Sequence, residues 1–146
     1  MSPPDDPKNK DNGIAGREGP LSPLRILLVD DEQLVRVTLA DMLENLGAQV
    51  EEAASADSAL SLFISGDFDL VIADLVMPPK GGDALARDIV AIQPDFPVLI
   101  VTGGGTAAGD ANTWPCLVKP FRESELLAAV RVALARQFSG GGDSPD

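Results

Sequence analysis

Five short strand-like runs punctuate the chain: RILLV at 25–29, AQVEE at 48–52, DLVIA at 69–73, PVLIV at 97–101 and CLV at 116–118. Between them lie segments whose apolar residues recur every three or four positions, over 32–46, 55–65, 82–92 and 123–137, which is the period of an amphipathic helix. In the first of these Val35, Leu39, Met42, Leu43 and Leu46 share one face, and Gly47 supplies a stop. Ser55 is placed to cap the second helix, and Gln93-Pro94 ends the third. Leu126, Leu127, Val130, Ala133 and Leu134 form the buried stripe of the last.

Strands alternating with helices of this length imply βαβ units and a parallel sheet, an α/β fold. The strands also suggest their own order. ILLV, LVIA and VLIV are continuously apolar, as central strands covered on both faces must be. AQVEE alternates and CLV is very short, so these two suit the edges. Right-handed crossovers then give a doubly wound five-stranded sheet in the order 2-1-3-4-5. Ligands of such sheets bind at the carboxyl ends of the strands, where the winding reverses.

Composition narrows the function classes. With 146 residues, 45% of them apolar, the chain has material for one domain with a real core. Residues 1–23 are rich in Pro, Gly, Asp and Asn without an apolar period and read as a disordered tail, as do 139–146; the domain is expected over 24–138. Both tails are expected to be dispensable for activity. A net charge of −12, from 23 acidic against 11 basic side chains, argues against gripping nucleic acid or an anionic membrane. The single cysteine, Cys116, offers no internal disulfide, and no apolar run resembles a signal peptide or a membrane span, so the expected compartment is the cytoplasm. The absence of histidine removes Ser-His-Asp catalysis and most zinc sites.

Three acids stand where the first and third strands end: Asp30 and Asp31 after ILLV, and Asp74 after LVIA. In the proposed order those strands are neighbours, about 5 Å apart. A single aspartate there is most simply a cap or turn residue. Three converging carboxylates repel one another, and a hard divalent cation such as magnesium (Mg²⁺) relieves the repulsion. The next two strands end in Thr102, a hydroxyl donor, and Lys119, a cation. An acid cluster, a nucleophilic carboxylate, a hydroxyl and an ammonium on one rim match phosphoryl transfer to a carboxylate.

LLVDDE at 27–32, DLVMPPKGG at 74–82, VTG at 101–103 and LVKPF at 117–121 resemble the receiver domains of two-component response regulators, over about residues 24–138. The resemblance implies a flavodoxin-like fold, with Asp74 as phosphoacceptor and a sensor histidine kinase or histidine phosphotransfer protein as donor. It implies a switch that phosphorylates and dephosphorylates itself and signals by protein contact, rather than a turnover enzyme. By the family pattern Asp31 binds Mg²⁺ directly, Asp30 does so mainly through water, and the backbone carbonyl of Val76 adds an oxygen. Thr102 and Lys119 would contact the phosphoryl group, Lys119-Pro120 would be cis, and Gly82 would close the loop after the acceptor.

The segment TGGGTAAGDANTWPCLVK departs from that pattern. It is short, and five glycines or prolines in it argue against a full fourth helix, as in stand-alone and hybrid-kinase receivers. Cys116 stands where many receivers carry a switching aromatic, and it reads as a small buried edge-strand residue. The Gly-rich stretch 103–115 is the expected conformational output. Two other functions compete. A haloacid-dehalogenase-like phosphatase also uses an aspartate nucleophile, but VDDEQ at 29–33 lacks the DxDx(T/V) arrangement. A nucleotide binder would use GGGT at 103–106, but no Walker-type lysine follows it.

Overall fold

The structure, a computed structural model, describes residues 19–103 and 114–142. Along them run β1 (Arg25–Val29), α1 (Gln33–Asn45), β2 (Gln49–Ala53), α2 (Ala56–Ser65), β3 (Leu70–Asp74), α3 (Gly82–Ile92), β4 (Val98–Thr102), β5 (Cys116–Val118) and α4 (Glu123–Gly142). The strands form one five-stranded sheet in the order β2-β1-β3-β4-β5, and every pairing is parallel. This is the doubly wound α/β architecture expected from the pattern.

The period-2 geometry of the central strands divides the core in two. Leu27 and Val29, Val71 and Ala73, and Val98 and Ile100 face α2 and α3, where Phe63 and Phe96 meet edge to face at 4.9 Å. Ile26 and Leu28, Leu70 and Ile72, and Leu99 and Val101 face α1 and α4 through Leu39, Leu43, Leu126 and Val130. Each fully buried Leu or Ile side chain is worth about 1.5–3 kcal/mol relative to exposure, so two such layers hold the sheet rigid. α1 ends at Asn45 with Leu46 as its C-cap, and the chain turns away at Gly47, whose φ of 102° lies in the left-handed region that a glycine adopts without strain. Ser55 caps α2, its hydroxyl accepting from Ser58 N–H at 3.1 Å.

Some boundaries differ from the expectation. β2, β3 and β4 each lie one residue later than expected, because backbone pairing does not stop where the apolar run stops. Asp74 still pairs with Val101, and Leu75 N–H donates to the Val101 carbonyl at 2.8 Å. Asp74 and Thr102 are therefore the last residues of strands rather than the first of loops.

The reading of 1–23 as a disordered tail is corrected at 19–23. Leu21 is 2% exposed in the layer beside α1. Its N–H donates to the Leu46 carbonyl at 2.8 Å, and Leu24 N–H returns to the Leu21 carbonyl at 2.7 Å. The end of α1 offers an unused carbonyl and an apolar shelf, and one leucine satisfies both. At the other terminus α4 runs to Gly142, beyond the expected end at 137 and into 139–146. Glycine weakens a helix by about 1 kcal/mol per residue, yet it keeps the N–H that proline lacks. The expectations for the Gly-rich stretch (no full fourth helix, an output loop, a GGGT motif) fall largely on 104–113, outside the described residues.

Candidate functional site

Register brings the acids together. β1 pairs with β3 through Val29 and Ala73, so the next residues, Asp30 and Asp74, lie side by side at the carboxyl rim. Asp30 is 1% exposed and Asp74 8%, whereas Asp31 points outward and is exposed. One carboxylate oxygen from each of Asp30, Asp31 and Asp74 lies within 4.8 Å of the others. Thr102 is buried at the end of β4. Lys119 follows β5, and its N–H donates to the Thr102 carbonyl at 2.8 Å. The Lys119 ammonium sits 3.5 Å from Asp74 Oδ2 and 3.7 Å from Asp30 Oδ2. Asp31, Asp74, Val76, Thr102 and Lys119 line one open cleft of about 440 Å³, with Asp30 behind it. All six residues singled out in the sequence thus meet at one place.

Local chain geometry fixes the two buried carboxylates. Asp30 Oδ1 accepts from Glu32 N–H at 2.9 Å, and Asp74 Oδ1 accepts from Val76 N–H at 3.3 Å. Each therefore has one oxygen tied to backbone and the other turned toward Lys119. The loop after Asp74 returns tightly: a Cβ on Gly82 would lie 2.3 Å from the Asp74 carbonyl oxygen. Only glycine allows α3 to start this close to the end of β3. Lys119-Pro120 is cis, as the resemblance implied.

Electrostatics leave the site short of positive charge. Burial pushes the Asp74 carboxyl above its ordinary value of 3.8, and the neighbouring Asp30 adds to the rise; Lys119 and the Val76 N–H oppose it. The Lys119 ammonium faces two of the three carboxylates, Asp30 and Asp74, at distances longer than the 2.7–2.9 Å of a good charge-assisted hydrogen bond. The donor set is all oxygen, two of its carboxylates are pre-oriented, and an open cleft adjoins it. Those features fit a small hard cation that retains water, as Mg²⁺ does.

One expectation fails here. Cys116 is exposed, not buried, and its thiol lies 3.6 Å from the Trp114 carbonyl. β5 is an edge strand in which only the central Leu117 turns toward the layer of α1 and α4. Two contributions carried no motif. The backbone N–H groups of Glu32 and Val76 act through geometry alone. Arg36, one turn into α1, donates from Nη1 to the Asp30 carbonyl at 2.8 Å; a cation six residues after the first acid was its only trace in the sequence.

A family model described as the response regulator receiver domain matches residues 26–131, and the chain belongs to that family. Its members are signalling switches of two-component systems, typically phosphorylated on aspartate. The response regulator MprA of Mycolicibacterium vanbaalenii is 36% identical over 129 residues, covering 84% of this chain and 56% of the relative. This chain therefore spans little more than half the length of that relative. The sensor kinase CckA of Brucella abortus is 34% identical over 119 residues, 77% of this chain but 13% of that protein. Among solved structures, response regulator TrrA of Thermotoga maritima in complex with Mg²⁺–BeF matches with a TM-score of 0.71 at 32% identity. The match covers 76% of this chain and 99% of that one. Among the described residues no helix is long and apolar enough to cross a membrane.

Proposed function

We propose that Asp74 is the phosphoacceptor, charged by a sensor histidine kinase or a histidine phosphotransfer protein, and that the modified domain signals by protein contact in the cytoplasm. The observation that carries this reading is the position of Asp74: a buried strand-end carboxylate, 3.5 Å from the Lys119 ammonium, inside a cluster of three acids. Asp31, Asp74 and the Val76 carbonyl would hold Mg²⁺, with Asp30 acting mainly through water. When bound, the ion supplies charge neutralisation for the phosphoryl oxygens.

The protein's own residues do the rest. The carboxylate form of Asp74 attacks phosphorus through the oxygen not tied to backbone, and this form needs no general base. The P–N bond of the donor phosphohistidine, protonated on its other ring nitrogen, breaks as the acyl phosphate O–P bond forms, and the imidazole takes the P–N electron pair and departs neutral. Lys119 follows the phosphoryl oxygens from the side it already shares with Asp74. The Thr102 hydroxyl, at the end of the adjacent strand, donates to another. A small phosphodonor such as acetyl phosphate serves the same step, with acetate leaving.

Incubation with acetyl phosphate and Mg²⁺ should add about 80 Da to the intact mass, one phosphoryl replacing a proton. EDTA or Asp74→Asn should abolish the gain. A gain that survives Asp74→Asn would place the acceptor elsewhere, and sustained turnover of p-nitrophenyl phosphate would favour a hydrolase.

A further inference from the structure

Asp30 directly follows β1, and its main chain is held by neighbours that carry no acid of the site. Its N–H donates to the Ala53 carbonyl at the end of β2, at 3.2 Å. Its carbonyl accepts from Arg36 Nη1 at 2.8 Å. Arg36 is itself held: Nε donates to Glu52 Oε1 at 3.0 Å, and the Arg36 side chain is only 15% exposed. Arg36 N–H also donates to the Glu32 carbonyl at 2.9 Å, while Glu32 N–H donates to Asp30 Oδ1. The turn 30–32, which carries two of the three acids, is thus clamped at both ends of the Asp30 peptide and across to the start of α1.

We propose that Arg36, oriented by Glu52, is a positioning residue for the acid pocket, fixing the Asp30–Asp31 turn at the spacing that binds the divalent cation. This rests on the reading of the acid cluster as an Mg²⁺ site. The planar guanidinium suits the task because it donates to the Asp30 carbonyl and the Glu52 carboxylate at once, from different nitrogens of one rigid fork. The edge strand β2, which contributes no ligand, becomes part of the site through Ala53 and Glu52. Partners that orient metal ligands typically change affinity 10–100-fold when removed.

The sign of the effect separates positioning from simple electrostatics. Arg36 carries positive charge beside a cation site, so removing it through charge alone would tighten Mg²⁺ binding. Loss of positioning loosens it. The experiment is calorimetric titration of Mg²⁺ into wild type, Arg36→Met and Arg36→Lys, with melting curves in EDTA and phosphorylation by acetyl phosphate as a function of Mg²⁺. Arg36→Met should bind Mg²⁺ about 10-fold more weakly. Its phosphorylation should need correspondingly more Mg²⁺ and approach the wild-type rate at saturation, a split that general destabilisation would not produce. Arg36→Lys, which keeps the charge but cannot bridge two acceptors through a planar fork, should fall between. Binding by Arg36→Met as tight as wild type, or tighter, overturns the proposal. Should that variant not fold, Arg36→Lys decides alone: weaker binding supports positioning and unchanged binding overturns it. Wild type that binds no Mg²⁺ would refute the metal site itself, an outcome distinct from either.

Discussion

The two ends of the sheet use the same strands for opposite purposes. At the amino ends of β1 and β3, polar groups are paired locally and apolar groups are covered. Arg25 N–H donates to Asp69 Oδ2, its guanidinium donates to the Asp67 carbonyl, and it stacks over Phe68 at 5.4 Å. Leu24 accepts from Gln49 N–H, and the turn at 19–22 places Leu21 against the end of α1. At the carboxyl ends of those strands two buried carboxylates share the Lys119 ammonium, and a third, exposed carboxylate lies beside them. The first end is built for stability. The second holds like charges together, which lowers stability. The contacts of the amino end offset part of the cost of crowding charge at the carboxyl end.

The largest expected effect lies at the stabilising end. Leu21→Ala removes a side chain that is 2% exposed and should destabilise by about 3 kcal/mol, as other buried Leu→Ala changes do. Once folded, the variant should bind Mg²⁺ as wild type does, because Leu21 is far from the acid rim. Removal of residues 1–22, expected from the sequence to be dispensable for phosphorylation, deletes the same contact and should lower the melting temperature similarly. Equal melting of trimmed and full-length protein would show that the 19–22 turn contributes nothing.

A smaller effect should separate two glycines of the functional end. A Cβ at Gly82 would meet the Asp74 carbonyl oxygen at 2.3 Å, whereas one at Gly103 would meet nothing within 4 Å. Gly82→Ala should therefore destabilise by about 2 kcal/mol, since backbone must shift to admit it, and should slow phosphorylation by displacing Asp74. Gly103→Ala should leave stability within about 0.5 kcal/mol of wild type. Equal melting of the two variants would mean that the close approach of α3 to β3 is not enforced.

Most of the fold was legible because buried parallel strands announce themselves as unbroken apolar runs. The acid cluster was legible because strand order converts three distant sequence positions into neighbours. What stayed hidden depends on contacts that leave no periodic signal. Leu21 is one apolar residue among prolines and glycines, and only the shelf at Leu46 makes it core. Cys116 was expected inside because small thiols usually are, but an edge strand buries only alternate residues. Arg36 looks like any charged helix residue until the Asp30 carbonyl and Glu52 are placed around it.

The contrast between the ends is tested most directly by the melting temperatures of wild type and Asp74→Asn, in EDTA and in saturating Mg²⁺. Burial raises the Asp74 carboxyl above its ordinary value, so the native state holds that proton more tightly than the unfolded chain does. Ionisation therefore lowers stability progressively as pH rises from about 3.8, the ordinary value, through the raised one, and the penalty is absent below about pH 3.8. At neutral pH in EDTA, Asp74→Asn should melt a few degrees above wild type, and the gap should close below pH 3.8. Saturating Mg²⁺ should raise wild type by mass action and the variant far less, narrowing or reversing the order. Wild type melting above Asp74→Asn in EDTA, with Mg²⁺ lifting both equally, would contradict a carboxyl rim that holds its charge in wait for a cation.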